Sequence, residues 1–333
     1  MPNEAPTAGL APSAEVAAWL NRRSSRMADW PMAALLAAKA AGPSGSVSVV
    51  LPALNEQRTV GAIVAAIRAE LVHAAPLIDE IVVIDSGSTD RTAEVAAAAG
   101  ARVLRREEIL PRIPVEPGKG EVLWRSLLAT SGDLVCFVDA DLRRFDPALI
   151  RGILGPLLTD PTVHLVKAAY DRPLAGAGAA VPAANGGRVT ELVARPLLNL
   201  HWPQLAGIVQ PLAGEYAARR TLLERLPFPC GYGVEFSLLV DTLQTAGLDA
   251  LAQVDVGSRY HRHQDDQALG RMAGEIWQAA LLRLRGAATH TEPARSQLTQ
   301  FQREDGVLRS STHDITVIER PPMCSIPEYR LHR

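Results

Sequence analysis

Residues 81–100, IVVIDSGSTDRTAEVAAAAG, decide the fold. Ile81 to Ile84 is a β-branched run with no polar alternation, which suits a strand covered on both faces. A polar turn follows, and Thr89 to Ala99 reads as an Ala-rich helix that Gly100 stops. The unit is preceded by another of the same kind. Val47 to Leu51 is a short strand, and Thr59 to Leu71 carries apolar residues at Val60, Ile63, Val64, Ile67 and Leu71, a helical spacing. It is also followed by more: a strand at Ala101 to Leu104, a Pro-punctuated loop from Leu110 to Pro117, a helix at Lys119 to Ala129 and an apolar strand at Leu134 to Val138. Strands alternating with helices mean a mostly parallel sheet with helices on both faces, an α/β fold.

The chain of 333 residues is 47% hydrophobic and 21% charged, enough apolar material for a large core. Aromatic residues make up only 5%, so aliphatic side chains and alanine must carry the packing. Lys and Arg number 34 against 36 Asp and Glu, a net charge of −2 with no basic block to track a phosphate polymer, so nucleic acid is not an expected partner. Three widely spaced cysteines, Cys136, Cys230 and Cys324, form neither a disulfide framework nor a thiolate zinc site and point to a reducing cytoplasm. The first residues lack a basic segment followed by an apolar one, and no apolar run approaches the ~20 residues of a membrane span. A soluble protein is expected.

Four segments are expected: a loosely held arm over 1–44 with a short helix near Pro31 to Ala41, an α/β half over 45–170, a mixed half over 171–285 and an irregular polar tail over 286–333. In the mixed half, Pro173 to Gly187 reads as a mobile loop. Helices are expected at Pro147 to Leu158, Val189 to Leu200, Tyr216 to Leu226, Val234 to Ala246 and Gln267 to Arg285, and strands at Val163 to Ala169 and Leu251 to Gly257.

Ligands of open parallel sheets bind beyond the carboxyl ends of the strands, where this sequence is acidic. Pro52-Ala53-Leu54-Asn55-Glu56 follows the first strand, Asp85-Ser86-Gly87-Ser88-Thr89-Asp90 the second and Asp139-Ala140-Asp141 the fourth. Asp85 and Ser88 also suit turn and cap positions, and Glu56 a solvated helix start. Asp139 and Asp141 emerge on one side of an extended segment and repel unless a cation joins them. Mg²⁺ takes one or two protein carboxylates and completes its shell with phosphate oxygens and water, which suits a nucleotide diphosphate. Gly186-Gly187-Arg188 before a helix gathers free N–H groups, a positive dipole end and a guanidinium, an anion site to which Thr190 adds a donor.

These residues and their order resemble a glycosyltransferase of the GT-A type, with a Rossmann-like, mostly parallel sheet and a mixed acceptor-binding half. The stretches 50–56, 85–90, 117–121, 186–196 and 231–235, with Arg320-Pro321-Pro322-Met323 in the tail, are similar to those of the actinobacterial glucosyl-3-phosphoglycerate synthases, and the likeness spans roughly 45–285. The resemblance implies a retaining transfer of glucose from UDP-glucose to the 2-hydroxyl of 3-phosphoglycerate, with Mg²⁺, in a cytoplasmic homodimer. It puts Pro52, Ala53, Leu54, Glu56, Ser86, Lys119, Asp139 and Ala140 on the nucleotide sugar. Asp141 and His261 become metal ligands, Asp141 and Glu235 catalytic residues. Gly187, Arg188, Thr190, Arg259 and His263 go to the acceptor. An imidazole ligand favours Mn²⁺ over Mg²⁺, so both are expected to serve. His263 stands where the family carries Asn.

Three other readings compete. A sugar-1-phosphate nucleotidyltransferase would carry a Gly-rich, basic signature where Pro52 to Glu56 stands. A polyprenyl-phosphate glycosyltransferase would need a membrane segment. A nucleotide-sugar-binding regulator without turnover would not need both Asp139 and Asp141. Within the transferase reading, a GDP-glucose or GDP-mannose donor or a different acceptor stays open, because uracil is read partly by backbone.

Overall fold

The computed structural model describes residues 12–42, 45–171, 187–258, 265–285, 296–304 and 307–331. The strands in chain order are β1 Ser24–Arg26, β2 Val47–Ala53, β3 Glu80–Asp85, β4 Arg102–Arg105, β5 Leu134–Phe137, β6 Leu165–Asp171, β7 Tyr216–Arg219, β8 Phe228–Pro229, β9 Leu251–Ser258, β10 Gln297–Glu304, β11 Val307–Asp314 and β12 Glu319–Arg320. Eight of them form one sheet in the order β1-β9-β6-β7-β5-β2-β3-β4. The run β5-β2-β3-β4 is parallel throughout, as the repeated strand–helix pattern requires. Side chains alternate across the buried sheet. Val50, Val82, Ile84, Val135 and Phe137 enter the core on one face, and Val49, Leu51, Val83, Leu134 and Cys136 enter the core on the other.

The Ala-rich start of 216–226 reads as helix, but Tyr216 to Arg219 is strand β7, antiparallel to both β5 and β6. Only Arg220–Leu223 is helical. Ala217 and Ala218 are fully buried between two strands, and tertiary pairing overrides alanine's helix preference. This insertion makes the sheet mixed and continues it past residue 171 through β7 and β9, so the α/β and mixed halves share one sheet.

The arm expected to be loose is docked from Ala14 onward. The helix Ala14–Arg23 buries Val16 and Trp19, one turn apart, and β1 pairs in parallel with the outer edge of β9. The Trp19 indole donates to the carbonyls of Leu248 and Leu251 at 3.1 and 3.0 Å, and Arg23 pairs with Asp160 at 2.6 Å. The tail is likewise ordered where irregularity was expected. β10 and β11 form a hairpin, β12 pairs with β8, and Met323 and Tyr329 are buried. The expected loop Pro173 to Gly187 lies outside the described residues except for Gly187. The three cysteines are free thiols, and no helix among the described residues is long and apolar enough to cross a membrane.

The Arg320-Pro321 stretch grips the helix Lys119–Ala129. Fully buried Glu121 accepts from Arg125 at 2.6 Å and from Arg320 at 2.5 and 2.9 Å, while Trp124 donates to the Pro321 carbonyl at 2.8 Å. Burial would raise the Glu121 pKa, but Arg320 and Arg125 outweigh it and hold the carboxyl below its ordinary value. A carboxylate lowered in the folded state contributes stability that is present above its unfolded pKa and lost as pH falls through the folded one. Between neutral pH and a pH below the ordinary glutamate pKa, the urea midpoint should therefore fall less in Arg320→Met than in the wild type, although the variant is less stable at neutral pH. Trp19→Ala should lower the unfolding free energy by about 3–5 kcal/mol in urea titrations; a loss under about 1 kcal/mol would mean a loosely held arm.

Candidate active site

Turn chemistry at the carboxyl edge of the sheet sets the first residues of the site. Asn55, just past β2, takes φ +58°, a left-handed conformation that Asn tolerates. Its amide donates to Ser88 Oγ at 2.9 Å, and its side chain accepts from Thr89 N at 2.9 Å. Asp85 accepts from Ser88 N at 3.1 Å, so Asp85 and Ser88 shape the turn while Ser86 faces the cleft. The Glu56 amide donates to Thr92 Oγ1 at 2.8 Å. These ties hold the ends of β2 and β3 together and present Pro52, Ala53, Leu54 and Glu56 along one wall.

The helix Lys119–Ala129 begins at Gly118, whose φ of +111° is a conformation open to glycine. A Cβ there would also run into the Cys230 carbonyl and lie 2.8 Å from Gly231 Cα. This close approach brings Lys119 at the start of one helix beside Glu235 in the first turn of another, Val234–Ala246. Lys119 Nζ lies 2.5 Å from Asp139 Oδ1 and 3.0 Å from Glu235 Oε1. Burial alone would lower the Lys119 pKa, yet the Asp139 and Glu235 carboxylates hold it well above the ordinary value. Glu235 is 7% exposed.

Asp139 and Asp141 both open on the cleft, whereas Ala140 between them is buried and its carbonyl accepts from Thr59 Oγ1 at 2.6 Å. The antiparallel register pairs Phe137 with Tyr216, and continuing it by two residues sets Asp139 opposite Gly214. A Cβ at Gly214 would overlap the Asp139 carboxylate and lie 2.6 Å from Lys119 Nζ. Any larger residue there would displace the Asp139 carboxylate and the Lys119 ammonium.

The resulting cleft has a volume of about 580 Å³. Of the residues singled out in the sequence, it brings together Pro52, Ala53, Leu54, Glu56, Ser86, Lys119, Asp139, Asp141, Gly187, Arg188, Thr190 and Glu235. Arg259, His261 and His263 lie outside the described residues. Arg188, at the start of its helical segment, pairs with the exposed Asp266, and buried Thr190 follows two residues later. Tyr232, from the motif stretch 231–235, also lines the cleft, as do Arg106, Leu212, Gly214, Leu269 and Met272, which carried no sequence signal. Glu275 holds Tyr232 from behind, accepting its amide at 2.8 Å.

No group of three His, Cys, Asp or Glu side chains that could hold a metal occurs among the described residues. Asp141 nonetheless offers a hard oxygen donor at the mouth of the cleft, the ligand type that Mg²⁺ and Mn²⁺ take alongside phosphate oxygens and water. A divalent ion fits that chemistry.

Residues 48–176 match the model of glycosyl transferase family 2. The glucosyl-3-phosphoglycerate synthase of Mycolicibacterium smegmatis is 48% identical over 308 residues, 92% of this chain and 98% of that protein. A crystal structure of glucosyl-3-phosphoglycerate synthase from Mycobacterium tuberculosis in complex with Mn²⁺, uridine diphosphate and phosphoglyceric acid is 46% identical with a TM-score of 0.78, covering 89% of this chain and 95% of that one. That of mannosyl-3-phosphoglycerate synthase from Rubrobacter xylanophilus is 41% identical with a TM-score of 0.85, covering 95% of this chain and 99% of that one. On this identity over almost the whole of both chains, the protein belongs to the glucosyl-3-phosphoglycerate synthase family of glycosyltransferases.

Proposed function

We propose that this cleft transfers glucose from UDP-glucose to the 2-hydroxyl of 3-phosphoglycerate, with retention at the anomeric carbon and with a divalent metal. One observation carries the reading: the Lys119–Asp139–Glu235 charge cluster stands beside Asp141, between the wall formed by Pro52 to Glu56 and the helical start at Arg188. Curated relatives that match over most of the chain are named glucosyl-3-phosphoglycerate synthase, and one solved structure of that name holds Mn²⁺, uridine diphosphate and phosphoglyceric acid.

Pro52, Ala53, Leu54, Glu56 and Ser86 hold the nucleoside against the ends of β2 and β3. Asp139, fixed by Lys119, takes the ribose, and Lys119 brings positive charge to the diphosphate side. Asp141 would hold the metal with His261, and the ion when bound supplies Lewis-acid stabilisation of charge on the leaving diphosphate. At the acceptor end, the Gly187 amide, the Arg188 guanidinium and the Thr190 hydroxyl receive an anionic group, with Arg259 and His263 assigned to the same acceptor. Arg188 already pairs with Asp266, so the acceptor anion competes with a weak, exposed partner. The sugar acquires oxocarbenium character as the bond to phosphate breaks, and the Glu235 carboxylate stands where that positive charge is stabilised. Attack of the acceptor hydroxyl on the face that the diphosphate leaves preserves the anomeric configuration without a stable covalent intermediate. A cytoplasmic homodimer belongs to the same reading.

The mannosyl-transferring relative, which covers 95% of this chain, favours a second reading in which the hexose is mannose. Purified protein given UDP-glucose, 3-phosphoglycerate and Mg²⁺ or Mn²⁺ should release UDP only when the acceptor is present, and EDTA should abolish release. Turnover with GDP-mannose alone would transfer the assignment to mannose, and release without acceptor dependence would reject it. Glu235→Gln should lower kcat by about 10²–10³-fold while the Kd for UDP stays within about threefold. Unchanged turnover in that variant would remove Glu235 from the mechanism.

A further inference from the structure

The segment 207–215 runs beneath the cleft into β7, and side chains from separate elements take its main-chain groups. Arg195 donates to the carbonyls of Ile208 and Val209 at 3.2 and 2.8 Å. Gln253 in β9 accepts from Val209 N at 2.9 Å and donates to the Gly207 carbonyl at 3.1 Å. Gln210 donates to the Tyr170 carbonyl at 2.7 Å. The last tie comes from Lys167 in β6. It is 2% exposed and does not line the cleft, and its ammonium donates to the Ala213 carbonyl. Lys167 Nζ also lies 4.6 Å from the Tyr216 ring centroid, and the amide of the next residue, Ala168, donates to the Glu215 carbonyl at 3.0 Å.

A methionine of similar length would be cheaper to bury than an ammonium, so the charge adds a grip on the Ala213 carbonyl and not merely volume. Burial pulls the Lys167 pKa down to about 8, with Glu235 opposing the shift. At neutral pH the ammonium is the majority form, and its bond to Ala213 is charge-assisted. The next residue is Gly214, whose backbone abuts the Asp139 carboxylate and Lys119 Nζ. A continuous path of contacts thus leads from the buried ammonium to the two charges at the mouth of the cleft.

We propose that Lys167 is a positioning residue for donor binding: it holds the Ala213-Gly214 backbone from below, and that backbone fixes where Asp139 and Lys119 stand. The proposal rests on the reading of the cleft as a nucleotide-sugar site. Titration calorimetry of Lys167→Met with UDP and Mn²⁺ should show a Kd about tenfold above that of the wild type, with the KM for 3-phosphoglycerate unchanged within about twofold. A variant that only loses part of its active fraction would keep the wild-type Kd, and that result overturns the proposal. If Lys167→Met does not fold, the same titration on Lys167→Leu, which likewise removes the donor, applies the same criterion. Wild-type protein that binds no UDP refutes the functional reading and this proposal with it, whereas equal binding by wild type and variant refutes this proposal alone.

Discussion

Lys119 is the cation about which the mouth of the cleft is organised. Its ammonium touches carboxylates that reach it from the end of β5 and from the first turn of a helix 116 residues downstream of itself. Two carboxylates in a partly dry space repel, and a single buried ammonium tends to shed its proton. The attraction between that ammonium and the two carboxylates holds a strand end and two helix starts at one place. Charges fixed in this way need little reorientation when a ligand's own charge changes, which is the condition for electrostatic catalysis.

The supports of that cluster are themselves polar and buried. Glu121 with Arg125 and Arg320 secures the helix that bears Lys119. Arg283, bidentate to Asp241 and 2.8 Å from Glu319, secures the helix that bears Glu235 against the helix Asp266–Arg285 and the start of β12. Such clusters add little net stability compared with apolar packing, but breaking one leaves a buried charge without its partner. Their geometric demands make one arrangement of the helices much better than its neighbours. The aliphatic core, with few aromatics, supplies bulk burial on both faces of the sheet.

The parallel half was legible because short-range rules govern it: β-branched runs make β2 and β3, an apolar run makes β5, and an Ala-rich run ending in Gly100 makes a helix. Asp139 and Asp141 stood out for the same local reason, two acids one residue apart at the end of a buried strand. Gly214, Lys167 and Trp19 did not stand out. Gly214 matters only because β7 runs antiparallel beside β5, and Tyr216 to Arg219 has no strong strand preference of its own. A lysine in an apolar strand carries no mark of the carbonyl it will meet from a loop 46 residues away. Trp19 sits in a Pro- and Ala-rich stretch whose partners, Leu248 and Leu251, are more than 225 residues distant. Arg188 and Thr190 stood out in the sequence as an expected anion site and line the cleft, but the Asp266 partner did not stand out, because it comes from another helix.

The Arg320–Glu121 contact joins residues 199 positions apart. During synthesis the carboxylate of Glu121 therefore waits, with Arg125 as its near neighbour, until the ribosome has released a further 199 residues and β12 can close on β8. Contacts of such long range form late, because the entropy of loop closure must be met first. The sheet can assemble as its strands emerge, whereas the helix that carries the central lysine receives this clamp only after all eight strands of the sheet have been made.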